Sequence, residues 1–425
     1  MTAIRRAGRV TFASLSIPNY RRYFAGQSIS LIGTWMQMIA QSWLVLELTG
    51  SAVALGVVTA LQTIPVLLLG PYGGVVADRV DKRKLMIALQ TAMGVQALVL
   101  GVLTVTHSIE LWEVGVLAAL LGLNNAFENP ARQSFMLELV GPAELRNAVS
   151  LNSTLVNAAR AIGPAIAGIL IATVGTGVCF LINAVSFIPV VLTLLLMDVS
   201  QLQPTARAER AKGQLREGLR YVRATPELAV PLVMMGLAGM LTYEFAVTLP
   251  VLDHRVLHGG SAGYGFMTAA MGIGAVGGGL LSATFGRTGL KPLVLAAAAF
   301  GILVLSAAFA PTMGLELAIL ALVGAASVSF MAVGNSTLQL RADPGMRGRV
   351  MALWFVAFQG STPIGGPLIG WIISVAGARV GLGVGGVTCL VVALLGYLAL
   401  RRLRGPGTLP GPVEIETDDE VAVAA

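Results

Sequence analysis

The ten residues Gly74-Val-Val-Ala-Asp78-Arg79-Val-Asp81-Lys82-Arg83 lie between two apolar runs that are each long enough to cross a membrane. They place charges of both signs in one short turn at the end of a predicted helix. A carrier whose helices slide past each other needs such a cluster as a contact that forms and breaks in each cycle. An ordinary basic loop on the cytoplasmic side of a membrane protein is the simpler interpretation. We refer to residues 74–83 as the charged turn.

The composition excludes a soluble protein. Only 12% of the 425 residues are charged and 56% are hydrophobic, with a mean hydropathy of +0.80, whereas a soluble domain carries about a quarter charged residues. Such a chain has too little polar surface to cover itself in water. Its apolar runs of about 20 residues, with Gly and Pro inside them, predict helices rather than the short alternating strands of a barrel. We therefore predict an all-α integral membrane protein.

The hydropathy pattern predicts about twelve transmembrane helices in two sets of six. The expected organisation is a cytoplasmic segment 1–23, a first bundle 24–197, a cytoplasmic loop 198–228 with a basic amphipathic helix, a second bundle 229–400 and a disordered tail 401–425. The predicted spans are 24–46, 53–76, 85–106, 111–129, 148–173, 177–197, 229–252, 263–285, 291–311, 315–339, 350–375 and 379–400.

The basic residues predict the orientation. With the N-terminus in the cytoplasm, all but three of the 28 Lys and Arg residues lie on the cytoplasmic side, as the positive-inside rule requires. Arg255 and Arg379 fall outside and Arg160 falls within a span. Both termini are therefore expected in the cytoplasm, and the basic balance indicates topology rather than nucleic-acid binding. The first twenty residues show no cleavable signal peptide.

The two predicted bundles carry traces of an internal repeat. Residues 163–168 (Gly-Pro-Ala-Ile-Ala-Gly) recur as residues 366–370 (Gly-Pro-Leu-Ile-Gly), and residues 145–149 correspond to residues 346–350 at nearly the same offset. Two six-helix repeats joined by a loose central loop are typical of carriers whose binding site lies between the two halves.

Two predicted helices carry polar stripes that could line such a site. The first helix has Ser30, Thr34, Gln37 and Gln41 at helical spacing, and the fifth has Ser153, Asn157 and Arg160. Lipid does not tolerate these stripes, so they face protein or water. Hydrogen bonding between helices is an equally simple interpretation of the first stripe.

Arg160 is the charge that most needs an explanation. It lies about twelve residues into its predicted span, which at 1.5 Å per residue is about 18 Å deep and near the membrane centre. An arginine at that depth requires a partner and indicates a functional site, although a purely structural ion pair is an alternative. Two acids could pair with it or carry protons, Glu244 in the seventh span and Glu128 near the predicted end of the fourth.

Glu244 is the favoured proton carrier. It lies nearer the middle of its span than either end, where burial would favour its neutral form and allow it to bind and release a proton. Glu128 precedes Arg132 by one helical turn, so a helix ion pair close to the membrane surface explains it as well. Glu244 and Glu128 are both retained as candidates.

Other kinds of site are not supported by the sequence. His254 and His258 beside Asp253 have metal-ligand spacing but no fourth ligand nearby, and the two cysteines lie within predicted spans. No Gly-x-x-x-x-Gly-Lys-Ser/Thr motif occurs, and none of the four lysines follows a glycine. We expect no metal, no cofactor, no ATP hydrolysis by this chain and no enzymatic activity.

These features resemble the major facilitator superfamily. The charged turn is similar to the superfamily's Gly-x-x-x-Asp-Arg-x-Gly-Arg/Lys-Arg/Lys loop signature, with Asp81 where Gly is usual. Gly163, Pro164 and Gly168 resemble its antiporter signature in the fifth helix, with Ala167 replacing a Gly. The stretches 19–27, 33–35, 43–51 and 129–133 resemble the bacterial branch of enterobactin-exporter-like proteins, often called transmembrane secretion effectors.

The resemblance implies alternating access to a central site between two rocking halves. It implies that Gly74, Asp78, Arg79, Lys82 and Arg83 form a cytoplasmic gate, in which Asp78 docks against the eleventh helix in the outward-facing form. Gly163, Pro164 and Gly168 would bend the fifth helix. The expected setting is the bacterial inner membrane, with a small-molecule substrate, protons and the bilayer as partners and a monomeric state.

The sequence therefore predicts a proton-coupled exporter of small amphipathic molecules. In this hypothesis the two polar stripes line the site, Arg160 sets the charge preference, and Glu244 carries the proton. The alternatives are an exporter dedicated to one siderophore or secondary metabolite, an importer, a lipid flippase, and a membrane sensor or scaffold without transport activity. A static scaffold would need neither the charged turn nor an intramembrane arginine.

Overall fold

The computed structural model describes residues 12–203, 214–285 and 288–403, and within these ranges the regular structure is entirely helical. One long segment, Leu111–Val174, bends back at Gly141, and we label its two parts α4 and α5. The other helices are α1 Pro18–Thr49, α2 Ala52–Arg79, α3 Lys82–Val105, α6 Thr176–Leu195, α7 Gln214–Ala224, α8 Pro226–Leu241, α9 Phe245–Leu252, α10 Gly260–Phe285, α11 Leu290–Ala308, α12 Met313–Arg341, α13 Arg347–Gln359, α14 Thr362–Ala376 and α15 Ala378–Leu403.

The helices of the described ranges account for twelve membrane crossings, as predicted. Ten helical segments are individually long and apolar enough to cross a membrane. One of these, Leu111–Val174, crosses twice, because Gly141 adopts φ 71° and ψ 173° and reverses the chain. That conformation is readily available to glycine. The remaining crossing is made by α13 and α14 together, which are each too short to cross alone.

The fourth span is longer than predicted. The expected end at residue 129 is wrong, because α4 continues through Pro130 to the turn at Gly141. Pro130 has no N–H for the carbonyl of Ala126, four residues earlier. Gly73 of α2 packs directly on that carbonyl, where any side chain would clash. The neighbouring helix thus covers the carbonyl that the proline leaves without its helical partner.

Two spans of the second half are broken at the same level of the bundle. The seventh consists of α8 and α9, which are separated at residues 242–244, and the eleventh is interrupted at residues 360–361. Pro363 at the second position of α14 restricts the residue before it and favours a helix start there. The breaks are adjacent in space, since Gly239 packs on Phe358 and Gly365 packs on Met240.

The two halves have different interiors. In the first half (α1–α6), Gln37 of α1 donates to Gln96 of α3 and accepts from Asn183 of α6, at 3.0 and 2.6 Å. In the second half (α8–α15), Tyr243 packs its ring against those of Phe300 and Phe358, with centroids 5.2 and 4.8 Å apart. A carboxamide network therefore connects helices in the first half, whereas the second half has a cluster of aromatic rings in which Tyr243 also donates to the carbonyl of Ser327 at 2.7 Å.

The halves pack tightly at one end of the bundle. We call the end where α1 begins and α15 ends the termini end, and the opposite end the distal end. Towards the distal end, α2 crosses α14 at Gly56 and Gly366, and α5 crosses α10 at Gly168 and Gly265. A Cβ on Gly265 would lie 2.6 Å from the Cα of Gly168. At these two crossings, glycine on both sides brings the backbones of the two halves into direct contact.

The termini end of α2 lacks such a crossing. Leu68 and Tyr72, near this end of the helix, are 62% and 66% exposed. The amphipathic helix expected in the central loop is present as α7, which docks on the termini end of α13 through an ion pair of 2.8 Å between Glu217 and Arg349. The predicted segments 1–23, 198–228 and 401–425 lie partly outside the described residues.

We expect a larger side chain at the crossing of α2 and α14 to open the distal end. A Cβ on Gly366 would lie 3.0 Å from the carbonyl oxygen of Gly56, and overpacking costs about 1–3 kcal/mol in the closed arrangement. In an Ala52→Cys background, Gly366→Val should speed cysteine modification by a membrane-impermeant maleimide about tenfold or more. Ala52 is fully buried, as are Cys179 and Cys389.

The control is Gly314→Val in the same background, because a Cβ on Gly314 meets no atom within 4 Å. It should leave the modification rate unchanged. Equal rates in the two valine variants would show that this crossing does not hold the distal end closed.

Candidate functional site

A polar cavity of about 280 Å³ lies within the first half, between helices α1 to α6. Its polar lining consists of six carboxamides, two hydroxyls and one ion pair, namely Gln27, Gln41, Gln62, Gln90, Asn125, Asn129, Ser30, Thr34, Glu128 and Arg132. Its apolar lining consists of Leu31, Trp35, Met38, Met93, Leu121, Val156 and Phe187. A wall that combines apolar surface with convergent polar groups is typical of small-molecule sites.

The predicted stripe on α1 divides into two groups. Ser30, Thr34 and Gln41 line the cavity, and Gln41 donates from Nε2 to Oε1 of Gln62 at 3.2 Å. Gln37 instead bonds to α3 and α6 and is not among the lining residues. Gln37 therefore fits the helix-bonding interpretation, Ser30 and Thr34 fit the cavity interpretation, and Gln41 fits both.

The predicted stripe on α5 lies mostly outside this cavity. Only Val156 of α5 is among the lining residues. Ser153 is exposed, and Asn157 is half-buried and donates to the carbonyl of Ser153 at 2.9 Å. Arg160 comes nearest, because its guanidinium stacks over the Trp35 ring of the cavity wall, 5.4 Å from the ring centroid.

Arg160 makes no ion pair with the residues that the structure describes, since no carboxylate lies within 4 Å of its nitrogens. Its partner is the face of Trp35, a cation–π contact that offsets only part of the cost of burial. A polar or anionic group of a bound molecule could therefore reach a positive charge that no acid neutralises. The ion pairs of Arg160 with Glu244 or Glu128, considered from the sequence, are not formed in this structure.

The motif Gly163, Pro164 and Gly168 lies where α5 crosses a helix on each side. A Cβ on Gly163 would lie 2.7 Å from Cβ of Trp35 on α1, and Gly168 faces α10. Pro164 cannot donate to the carbonyl of Arg160, and Gly272 of α10 packs on that carbonyl. The glycines of this motif thus allow α1 and α10 to approach α5 closely in the region of Arg160.

Glu128 forms the predicted ion pair with Arg132, but the pair lies in the cavity wall and well within α4 rather than near the end of the helix. Nε of Arg132 lies 3.0 Å from Oε1 of Glu128, and the two side chains are 15% and 7% exposed. Gln90 donates to the same oxygen at 3.3 Å, and Arg132 also donates to Asn129. The difference arises because α4 is longer than predicted, so that these residues lie within the helix instead of near its end.

Glu244 is buried, as predicted, with 3% exposure. It lies in the break between α8 and α9, where its carboxylate packs on the backbone of Gly365 and Gly366 near the start of α14. Oε1 has no hydrogen-bond partner among the described residues. Glu244 therefore lies at the distal contact between the halves, beside the crossing of Gly366 with Gly56, and not in the polar cavity.

The charged turn holds the first half together in this structure. Arg83 donates to the carbonyls of Leu194 and Leu195 at 2.6 and 2.8 Å, at the end of α6, and Lys82 pairs with Glu138 of α4 at 2.5 Å. Gly74 lies within α2, where it is half-buried, and Arg79 is exposed. The side chain of Asp78 lies outside the part of the chain whose side chains are described.

Asp81 replaces the usual glycine without strain. Its φ of −61° is open to any residue, and its side chain caps α3 by accepting from the N–H of Lys84 at 3.0 Å.

Sequence reasoning did not single out several functional candidates. Gln62, Gln90 and Asn125 also line the cavity. The sequence signal that could have indicated each of them was a polar side chain within an apolar span. Glu316 of α12 is also buried, at 1% exposure, with neither carboxylate oxygen hydrogen-bonded among the described residues. Because Glu316 closely follows the helix cap Thr312, its sequence position is typical of an acid that stabilises the first turn of a helix.

Comparison with known proteins gives a consistent picture. The family model of the transmembrane secretion effectors matches residues 9–405. Over 390 residues the chain is 27% identical to the staphyloferrin A transporter of Staphylococcus aureus, covering 90% of the chain and 96% of that protein. It is 28% identical to the enterobactin exporter EntS of Citrobacter koseri, covering 92% and 95%, and 26% identical to the multidrug efflux pump Tap of Mycolicibacterium fortuitum, covering 81% and 87%.

Solved structures share the fold. An inward-facing, unoccupied bacterial homologue of the human lysosomal transporter Spinster superposes with a TM-score of 0.70 at 14% identity, covering 90% of this chain and 96% of the other. The nucleoside transporter NupG gives a TM-score of 0.71 at 13% identity, covering 90% and 99%. At these identities the likeness concerns the fold alone.

We expect the two glutamines of α1 to differ in their effect on stability. Gln37→Leu leaves Gln96 and Asn183 without their buried partner, which should cost about 1–3 kcal/mol, whereas Gln41→Leu removes a single bond at a cavity. Thermal unfolding of the purified variants in detergent tests this, and Gln37→Leu should give the clearly lower midpoint. Equal midpoints would contradict the assignment of Gln37 to the helix network.

We expect Glu128 and Arg132 to be strongly coupled. Removing one member of a buried ion pair costs about 3–5 kcal/mol, so Glu128→Gln and Arg132→Gln should each lower the unfolding midpoint. The double variant leaves no uncompensated charge and should be more stable than the sum of the single effects implies. Additive losses in this double-mutant cycle would indicate that the pair is solvated rather than buried.

Proposed function

Because the chain belongs to the transmembrane secretion effector family of the major facilitators, we propose that it is a secondary active transporter that exports small amphipathic molecules in exchange for protons. Its membrane location and its relation to transporters follow from the fold and the family. Export is supported by relatives that are named as exporters and efflux pumps. Substrate, direction and coupling belong to the proposal.

The observation that carries the proposal is a polar cavity combined with close backbone crossings between the two halves towards the distal end. In an alternating-access cycle the crossings of α2 with α14 and of α5 with α10 would separate while the termini end closes. Glycine-lined crossings suit this motion, because they involve no interdigitated side chains that must be withdrawn. The charged turn would then reach α13, with Asp78, Arg79 and Arg83 forming the closed gate.

The cavity supports an amphipathic substrate. Carboxamides and hydroxyls, including Ser30, Thr34 and Gln41, offer hydrogen bonds, and Trp35 and its apolar neighbours offer a surface for hydrophobic groups. Gln37 supports the cavity wall from behind through its bonds to α3 and α6. Ser153, Asn157 and Arg160 of α5 would extend the site towards the second half, and Arg160 would favour neutral or anionic molecules over cations.

Glu244 is the proposed proton carrier. A carboxylate at the first turn of α14 is stabilised by the helix dipole, but a buried charge without an ion pair is costly, so a proton is readily bound there. Protonation would weaken the hold of Glu244 on the start of α14, the helix that closes the distal end against α2. Proton binding would thereby be linked to distal opening. Glu128 is less suited, because its protonation would leave Arg132 buried without its partner.

The proposed setting is the bacterial inner membrane, with both termini in the cytoplasm and a monomer as the working unit. On that orientation the distal end faces outward, so the close crossings between the two halves lie towards the outside. Transport dedicated to one siderophore is the second candidate, because two relatives are named for siderophores.

We expect Glu244→Gln to abolish uphill transport and to spare substrate exchange, because a permanently neutral side chain cannot couple to the proton gradient. The measurement is substrate accumulation in everted membrane vesicles, with and without an imposed proton gradient. Glu227→Gln is the matched control, since Glu227 is a surface acid at the start of α8 in the same span. Undiminished uphill transport by Glu244→Gln would remove this residue from the mechanism.

We expect expression of the chain in an efflux-deficient bacterium to lower the retention of some members of a panel of dyes, antibiotics and siderophores. Arg160→Ala, Asp78→Asn and a protonophore should each abolish this effect, whereas Arg21→Ala, an exposed arginine of α1, should not. An effect confined to siderophores would favour the second candidate. No change across the panel, with the protein present in the membrane, would contradict broad efflux.

A further inference from the structure

An apolar groove of about 200 Å³ runs along the outer surface of the second half, between α8 and α15. Its floor and walls contain no charged residue. Val233 and Leu395, on opposite walls, are 56% and 49% exposed, and the groove opens on the face of the bundle that meets lipid. The lining residues include Val230, Val233 and Leu237 from α8 and Val392, Leu395 and Ala399 from α15.

A pair of arginines follows the groove along α15 at the termini end. The lining positions of α15 recur every three or four residues, and Arg402 occupies the next such position after Ala399. Arg402 is exposed and makes no hydrogen bond or ion pair with the described residues. Its neighbour Arg401 is also exposed and places its guanidinium 4.9 Å from the centroid of the Tyr397 ring.

The charge around this end of the groove is net positive. The acid closest to it in the chain, Glu227 at the start of α8, is paired with Arg341 of α12 at 3.7 Å. Glu217 of α7 is likewise paired with Arg349. Arg401 and Arg402 therefore keep charges that no acid of the described chain neutralises.

From this arrangement we infer that the groove binds one anionic phospholipid of the leaflet at the termini end. An acyl chain fills the apolar groove, and the headgroup phosphate is held by Arg402 with Arg401 beside it. Basic side chains at a membrane surface attract anionic headgroups, and their aliphatic stems can lie along the apolar surface. The inference does not depend on the proposed transport activity.

A second groove on the same helix shows why the arginines matter. It lies between α11 and α15 at the distal end, has a volume of about 380 Å³ and includes Arg379. The guanidinium of Arg379 donates to the carbonyls of Ala308 and Ala310 at 3.1 and 2.9 Å. Because these bonds hold it at the end of α11, it is not available to a headgroup in the same way.

The test is native mass spectrometry of the full chain in mild detergent, with phosphatidylglycerol and phosphatidylcholine of identical acyl chains added in equal amounts. Wild type should retain one phosphatidylglycerol with about tenfold preference. Arg401→Gln combined with Arg402→Gln should abolish the preference but leave weak binding of both lipids. Val233→Trp, which fills the groove and keeps the charges, should abolish binding of both.

The matched control is Arg21→Gln combined with Arg22→Gln, a second pair of consecutive exposed arginines at the termini end, on α1. It should bind phosphatidylglycerol as wild type does. The inference fails if wild type shows no preference, if both double variants lose phosphatidylglycerol equally, or if Val233→Trp retains it. A complex of two chains that excludes lipid would show that a second copy covers the groove instead.

Discussion

The water-free interior of the bilayer requires that each backbone N–H and C=O group be satisfied within the protein, and the rest of this structure depends on that constraint. Prolines in the spans leave carbonyls without their helical donor. Pro130 does so for Ala126 and Pro164 for Arg160, and in each case a glycine of the adjacent helix packs on the carbonyl that is left free. At these two prolines, close packing by a neighbouring helix therefore covers the carbonyl that is left free, and the two contacts lie at the cavity wall and along the crossing of α5 with α10.

The same constraint explains where the second half departs from regular helix. Irregular backbone at membrane depth is tolerated where it is buried in protein, and the breaks in the seventh and eleventh spans face each other. Their adjacency leaves the first turn of α14 accessible to the side chain of Glu244. Glu244 belongs to the broken seventh span and contacts α14 of the broken eleventh span. α14 in turn packs against α2 of the first half.

The number and type of spans could be predicted from the sequence, because hydropathy over about 20 residues reflects only the thickness of the bilayer. The polar stripe of α1 was also visible, since it needs only helical periodicity. The different roles of Gln37 and Gln41 were not, because they depend on which helices flank α1 on each side. The position of Glu128 within α4, rather than near its end, was misjudged for a similar reason. A proline ordinarily suggests a helix end, and only the packing of Gly73 on the freed carbonyl shows how α4 continues.

The different interiors of the two halves have a mechanical consequence. In the first half, Gln37 connects α1, α3 and α6 through directional bonds, and Arg83 and Lys82 connect α3 to α6 and α4. The second half combines aromatic packing and polar bonds with two interrupted helices. Because its breaks at residues 242–244 and 360–361 already lack regular helical hydrogen bonds, bending there disrupts fewer of them than bending an intact helix would. The two breaks are therefore adjacent hinge points in the second half.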